Sequence, residues 1–290
     1  MPNFTLHLGL HKTGTTYLQN TLKDNKDILL SHVFFVPLMQ SRKNITPYLS
    51  ANDNSNKQLA ATFIEEVCEQ AASLGLCEII LSEENFMGYP LQVRKGLYDN
   101  SKSRLNKLKD LILSKDNKVA RIVISLREYS EFFESMFLEA NKQRFINIES
   151  VDKEELKHFS YLDIIEEIKN VFPSAELHVV SYESFKQDNI LLFEKVLDST
   201  DQDLLSSLVF SKLKRVSPSI KAYYDSQKVR DLDDIDIEVK NFIHKKLMNS
   251  DVYPKSQLDN VFFNTDECTK LKTRYQEDLL KISKIVASVT

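Results

Sequence analysis

Residues 9–19 read GLHKTGTTYLQ and follow the alternating run Phe4-Thr5-Leu6-His7-Leu8. Glycine is scarce, five in 290 residues, so two within six positions around one lysine and three threonines need a physical reason. A strand that runs through a small-residue loop into a helical pattern supplies one. Gly9 and Gly14 let the backbone turn tightly and offer successive N–H groups to an anion. A helix opening near Thr15 adds its own free N–H groups and the positive end of its dipole. Lys12 contributes a point charge, and Thr15 or Thr16 a hydroxyl donor. The local chemistry is that of an anion cradle at a strand end.

The rest of the chain repeats the strand-then-helix rhythm. Alternating or apolar β-type runs fall at residues 4–8, 33–36, 78–81, 119–125 and 177–181. Helical periodicity covers 15–23, 58–73, 93–113, 129–144, 161–171 and 190–197. Strands alternating with helices predict βαβ units and a mostly parallel sheet, with ligands bound beyond the carboxyl ends of the strands. After residue 200 no strand is expected, only helices at 219–230, 236–248 and 268–285. The reading is one α/β domain over 1–290, with a core over 1–200 and a mainly helical C-terminal part over 201–290. Polar stretches at 52–57 and 231–236 are expected to be surface loops. Phe132, Phe133 and Phe137 fall at helical spacing and are expected in the core.

Bulk properties remove several classes. A net charge of −4 argues against a nucleic-acid binder held by bulk electrostatics. No run approaches the roughly 18 apolar residues of a membrane span. The first residues lack a basic region followed by an apolar run, so no signal peptide is expected and the reading is cytoplasmic. Cys68, Cys77 and Cys268 form no CxxC pair and have no histidine cluster beside them, which predicts buried, reduced thiols and no metal site.

Residues 9–16 resemble a P-loop with one displacement. The usual pattern G-x-x-x-x-G-K-[ST] puts lysine after the second glycine, whereas Lys12 precedes Gly14 by two places and Thr15 follows it. Such a loop is poorly suited to a triphosphate with Mg²⁺. The pattern G-x-x-K-T-G-T-T-x-L-Q instead resembles the 5′-phosphosulfate-binding loop of sulfotransferases, especially bacterial-type members that use 3′-phosphoadenosine-5′-phosphosulfate (PAPS). The resemblance covers about the first 200 residues by motif order. It implies a three-layer sheet flanked by helices, in the P-loop nucleotide-kinase-like sulfotransferase fold, with PAP (3′-phosphoadenosine 5′-phosphate) as product and no metal.

It also implies a second motif, an arginine after an apolar strand and a serine eight positions later, both on the donor's 3′-phosphate. Residues 120–127, ARIVISLR, end on Arg127, and Ser135 stands eight places on, with Ser130 as a fallback. A third similarity is IILSEEN, residues 79–85, the strand-end segment that carries the acceptor's general base in many relatives. It points to Glu84 first and Glu83 second. His11 in the loop is a further candidate, since some members use histidine, and His7 is expected to be a core residue. The implied roles give Lys12, Thr13, Gly14, Thr15 and Thr16 to the phosphosulfate, and Lys12 also to charge on the bridging oxygen. The late basic loop of the family has its nearest counterpart in Lys212-Leu213-Lys214-Arg215, with Arg215 assigned to the 3′-phosphate. Residues 179–185, VVSYESF, resemble an architectural strand and turn. The acceptor that the resemblance implies is a hydroxyl on a saccharide, lipid head group, peptide or small metabolite. The loops at 85–94, 150–161 and 217–224 are the segments expected to line its pocket. The other readings are an NTP-dependent P-loop kinase and a catalytically silent binding module.

Overall fold

The computed structural model describes residues 2–51, 53–88, 97–114, 116–142, 145–199, 201–211, 218–249 and 260–290. Six strands form one sheet: β1 (Asn3–His7), β2 (Phe34–Val36), β3 (Glu78–Ser82), β4 (Lys118–Leu126), β5 (Glu176–Ser181) and β6 (Ser288–Val289). Their order is β2-β3-β1-β4-β5-β6, and every neighbouring pair is parallel. The main helices are α1 (Thr15–Asp24), α2 (Asn54–Ser73), α3 (Ser101–Leu113), α4 (Tyr129–Asn141), α5 (Tyr161–Val171), α6 (Ile190–Leu197), α7 (Ile220–Arg230), α8 (Ile237–Met248) and α9 (Thr265–Ile282).

Period-two alternation along the strands divides the apolar residues between two faces. Phe4 and Leu6, Ile79 and Leu81, and Ile122 and Ile124 face one core, which α2, α3, α4, α5 and α9 cover. Phe35, Ile80, Val123 and Val180 face a second, smaller core closed by α1 and α6. Helices on both faces of a parallel sheet make this a three-layer α/β fold, as expected. Phe132, Phe133 and Phe137 lie in the larger core.

Several expectations need correcting. A strand does follow residue 200: β6 extends the sheet beyond β5, but two residues are too few to show alternation. Residues 54–57, read as a loop, form the first turn of α2, because the Asp53 carboxylate accepts the Ser55 N–H at 3.1 Å and caps the helix. The thiols are not all buried: Cys77 is exposed, Cys68 and Cys268 are half-buried, and all three are free. Among the described residues no helix is long and apolar enough to cross a membrane.

Candidate functional site

Strands β1, β3, β4 and β5 all end at one edge of the sheet, and the polar residues of interest cluster there. The loop after β1 turns through two left-handed residues, Lys12 at φ 66° and Gly14 at φ 90°. Gly14 is the N-cap of α1 and supplies no side-chain cap. Among the described residues the N–H groups of Lys12, Thr13, Gly14, Thr15 and Thr16 donate to nothing in the protein. Five successive free donors at a helix N-terminus form a nest for an anion. Inside the loop, the Thr13 and Thr15 hydroxyls both donate to the Leu10 carbonyl, at 2.6 and 3.3 Å, and fix its shape. Thr16, half-buried, keeps its hydroxyl unengaged among the described residues. Gly9 and Gly14 are both tightly enclosed. A Cβ on Gly9 would meet Thr15 Oγ1 at 2.3 Å, and one on Gly14 would meet Phe185 Cε1 at 2.9 Å.

Arg127 directly follows β4, which lies between β1 and β5 in the sheet. One guanidinium nitrogen, Nη1, donates to the Lys12 carbonyl at 3.3 Å. Nη2 donates to Glu131 at 2.8 Å, and the group lies 4.7 Å from the Tyr182 ring centre. Lys186 approaches the same ring at 5.0 Å. The backbone that carries Arg127 is held from two sides: the Tyr161 hydroxyl donates to the Arg127 carbonyl at 2.8 Å, and the Glu128 N–H donates to Glu183 at 3.2 Å. Glu128 caps α4 by accepting the N–H groups of Ser130 and Glu131. The fallback Ser130 donates its hydroxyl to Glu128 Oε2 at 2.5 Å. Ser135 lies two turns into α4 and is buried. Arg215 lies outside the described residues, as do 89–94 and Ser217 of the acceptor loops.

The third group sits after β3. Glu83 is fully buried and accepts a forked pair from Arg42, Nε at 2.9 Å and Nη2 at 2.8 Å, plus the Asn85 N–H at 2.9 Å. This saturated pairing suits an anchor better than a proton acceptor. Glu84 is less enclosed, 3.5 Å from Arg42. His11 reaches over from the loop, its Nε2 3.1 Å from Asn85 Oδ1 and its Nδ1 3.4 Å from the Tyr98 hydroxyl. The loop and the β3 end therefore meet, with Glu84 and His11 on the Asn85 side and Lys12 on the Arg127 side.

Arg42 and Tyr98 are not singled out by the sequence, whereas Tyr182 and Phe185 lie in the segment 179–185 that reads as an architectural strand and turn. Only Tyr182 and Phe185 carried a signal, since they follow a strand that ends at the same sheet edge. Arg42 and Tyr98 come from distant segments with no motif of their own.

Burial lowers the pKa of two histidines in this region. His7, fully enclosed with Nδ1 2.8 Å from Ser82 Oγ, falls to about 3 through desolvation. His11 falls to about 4, also mainly through desolvation, with Asn85 and Glu83 opposing. Both rings are neutral in the fold at pH 7, whereas in the unfolded chain they titrate near 6.5. Above pH 6.5 neither state binds the protons, and the fold keeps its full stability. Below it only the unfolded chain takes them up, so stability falls until the folded pKa values are reached. Between pH 7 and pH 5.5 each histidine is expected to cost roughly 1.2 kcal/mol, about 2.5 kcal/mol together. Urea unfolding at the two pH values measures this, and a His7→Asn variant should lose half of the dependence. A stability independent of pH over that range would contradict neutral, buried rings.

Neither a family model nor a curated protein matches the chain. Among solved structures, a sulfotransferase from Alicyclobacillus acidocaldarius aligns over 85% of this chain and 94% of its own, at 13% identity and a TM-score of 0.41. The α/β fold itself follows from the sheet order and the two packed faces.

Proposed function

We propose that the protein is a PAPS-dependent sulfotransferase, moving a sulfuryl group to the hydroxyl of an acceptor. One observation carries the reading. The free N–H groups of Lys12–Thr16 and the Arg127 guanidinium, more than a hundred residues apart in sequence, adjoin through the 3.3 Å bond from Arg127 to the Lys12 carbonyl. Two anion-binding groups side by side fit a nucleotide that carries phosphate at two positions. A triphosphate on one chain would need only one of them.

In this reading the Lys12–Thr16 nest receives the 5′-phosphosulfate, and Arg127 with Ser135 holds the 3′-phosphate. Arg215 is the proposed late contact to that phosphate. The acceptor oxygen attacks sulfur in line, the bond from sulfur to the bridging oxygen breaks, and PAP leaves with the electron pair. Lys12 neutralises charge on that oxygen. The acceptor's proton passes to Glu84 or His11, while Glu83 stays paired with Arg42. Positioning and electrostatics supply most of the rate, as in phosphoryl transfer. Three free cysteines suit a reducing cytoplasm. The strand β6, which joins the C-terminal segment to the sheet, supports treating residues 1–290 as one working unit.

Calorimetric titration with PAP, ADP and ATP–Mg²⁺ tests the donor site. PAP is expected to bind selectively, and Arg127→Ala to weaken it by about 10- to 100-fold, the worth of a charge-assisted hydrogen-bonding pair. Preference for ATP–Mg²⁺, or PAP binding indifferent to Arg127, would sink the proposal.

A further inference from the structure

The lysine of the anion loop is already engaged. Lys12 Nζ lies 3.0 Å from Glu139 Oε2, and Lys142 Nζ lies 2.8 Å from that same oxygen. Both lysine side chains are almost enclosed, 14% and 15% exposed, while Glu139 is 34% exposed. Glu139 stands four residues after Ser135 and eight after Glu131, a spacing that aligns the three along one face of α4, and Glu139 on that face meets Lys12 of the β1 loop. Lys142 is the C-cap of α4, where the helix dipole favours a cation.

Two ammonium groups converging on one carboxylate oxygen define a point where negative charge is wanted. Like charges so close and so little hydrated are tolerable only with an anion between them. The carboxylate offers one negative charge against two positive ones. A phosphosulfate or a phosphate dianion offers two and would balance the pair. Glu139 can leave, because it occupies the last turn of α4 and is part-exposed. Glu83, locked by Arg42, cannot.

We propose that Lys142 is a second anion-binding lysine beside Lys12, and that Glu139 is an internal counter-ion which the incoming donor's 5′ group displaces from both. The inference rests on the reading that the β1 loop takes a phosphorylated nucleotide. The apparent affinity is the intrinsic one scaled by the fraction of molecules in which the lysines are free of Glu139. Removing the carboxylate charge therefore strengthens binding, and removing Lys142 weakens it.

The full-length chain would be titrated with PAP and with ATP, as wild type, Glu139→Gln and Lys142→Ala, after thermal melting has confirmed folding. Glu139→Gln is expected to bind the preferred nucleotide about five- to tenfold tighter, and Lys142→Ala about tenfold weaker, the scale of one partly buried charge contact. Adenosine 3′-phosphate, which lacks the 5′ group, should bind all three alike. Weaker or unchanged binding by Glu139→Gln overturns the counter-ion, and unchanged binding by Lys142→Ala overturns the second lysine. Should Glu139→Gln fail to fold, Lys142→Ala alone decides. If the wild type prefers ATP while the two shifts keep their opposite signs, the lysine pair stands and the PAPS reading fails. A wild type that binds neither nucleotide overturns both.

Discussion

Replacing Lys12 by alanine is expected to lower kcat by about 10²- to 10³-fold, the loss typical of removing one electrostatic contact to charge that develops in the transition state. The backbone should tolerate the change, because Lys12 is a non-glycine residue already held at φ 66° and the loop is fixed by Thr13 and Thr15 on the Leu10 carbonyl. Glu139 would keep Lys142 as its partner at 2.8 Å, so no carboxylate is left stranded. Thermal stability should thus stay near the wild-type value while turnover collapses. The readout is the rate of PAP release from PAPS with the best acceptor found by screening. Turnover above half of wild type would remove Lys12 from the chemistry.

The second large effect concerns stability. Arg42→Ala is expected to cost about 3 kcal/mol, because it strands the fully buried Glu83 carboxylate with only the Asn85 N–H and its neighbours. Removing one member of a buried pair is far more damaging than the pair's net worth, since the other charge stays desolvated. Adding Glu83→Gln to Arg42→Ala should therefore recover part of the loss. Urea unfolding with an unchanged slope gives the number. A cost below about 1 kcal/mol would mean that water reaches Glu83 once Arg42 is gone, and that the β3 end is looser than its packing implies.

Much of this was legible in the sequence because it is written locally. The strand ahead of GLHKTGTT, the loop and the helix start are consecutive, and Arg127 closes an apolar run that could hardly be anything but a strand. The Arg42–Glu83 fork spans 41 residues, and the contacts of His11 with Tyr98 span 87. Pairs of that separation leave no local pattern, since they depend on which strand ends lie side by side. Glu139 was within reach: the four-residue spacing from Glu131 through Ser135 is visible without coordinates, but only the fold shows that this face meets Lys12. Asp53 was a missed helix cap, lost among polar residues that read equally well as a loop.

The central position of β1 has a consequence for how the molecule is made. Its neighbours lie far along the chain, with Asn3 opposite Glu78 in β3 and Thr5 opposite Arg121 in β4. Closing loops of that size must precede any reward from pairing, so folding should be slow compared with a helical protein of equal length. A nascent chain carries β1 as an unpaired apolar ribbon until β3 and β4 are available, a period in which it is open to aggregation or chaperone capture. The anion cradle begins within the first sixteen residues, yet it becomes a binding site only when that assembly is finished. On the proposed reading a nucleotide would recognise only the completed sheet, and its binding would report on maturation of the chain as directly as on its activity.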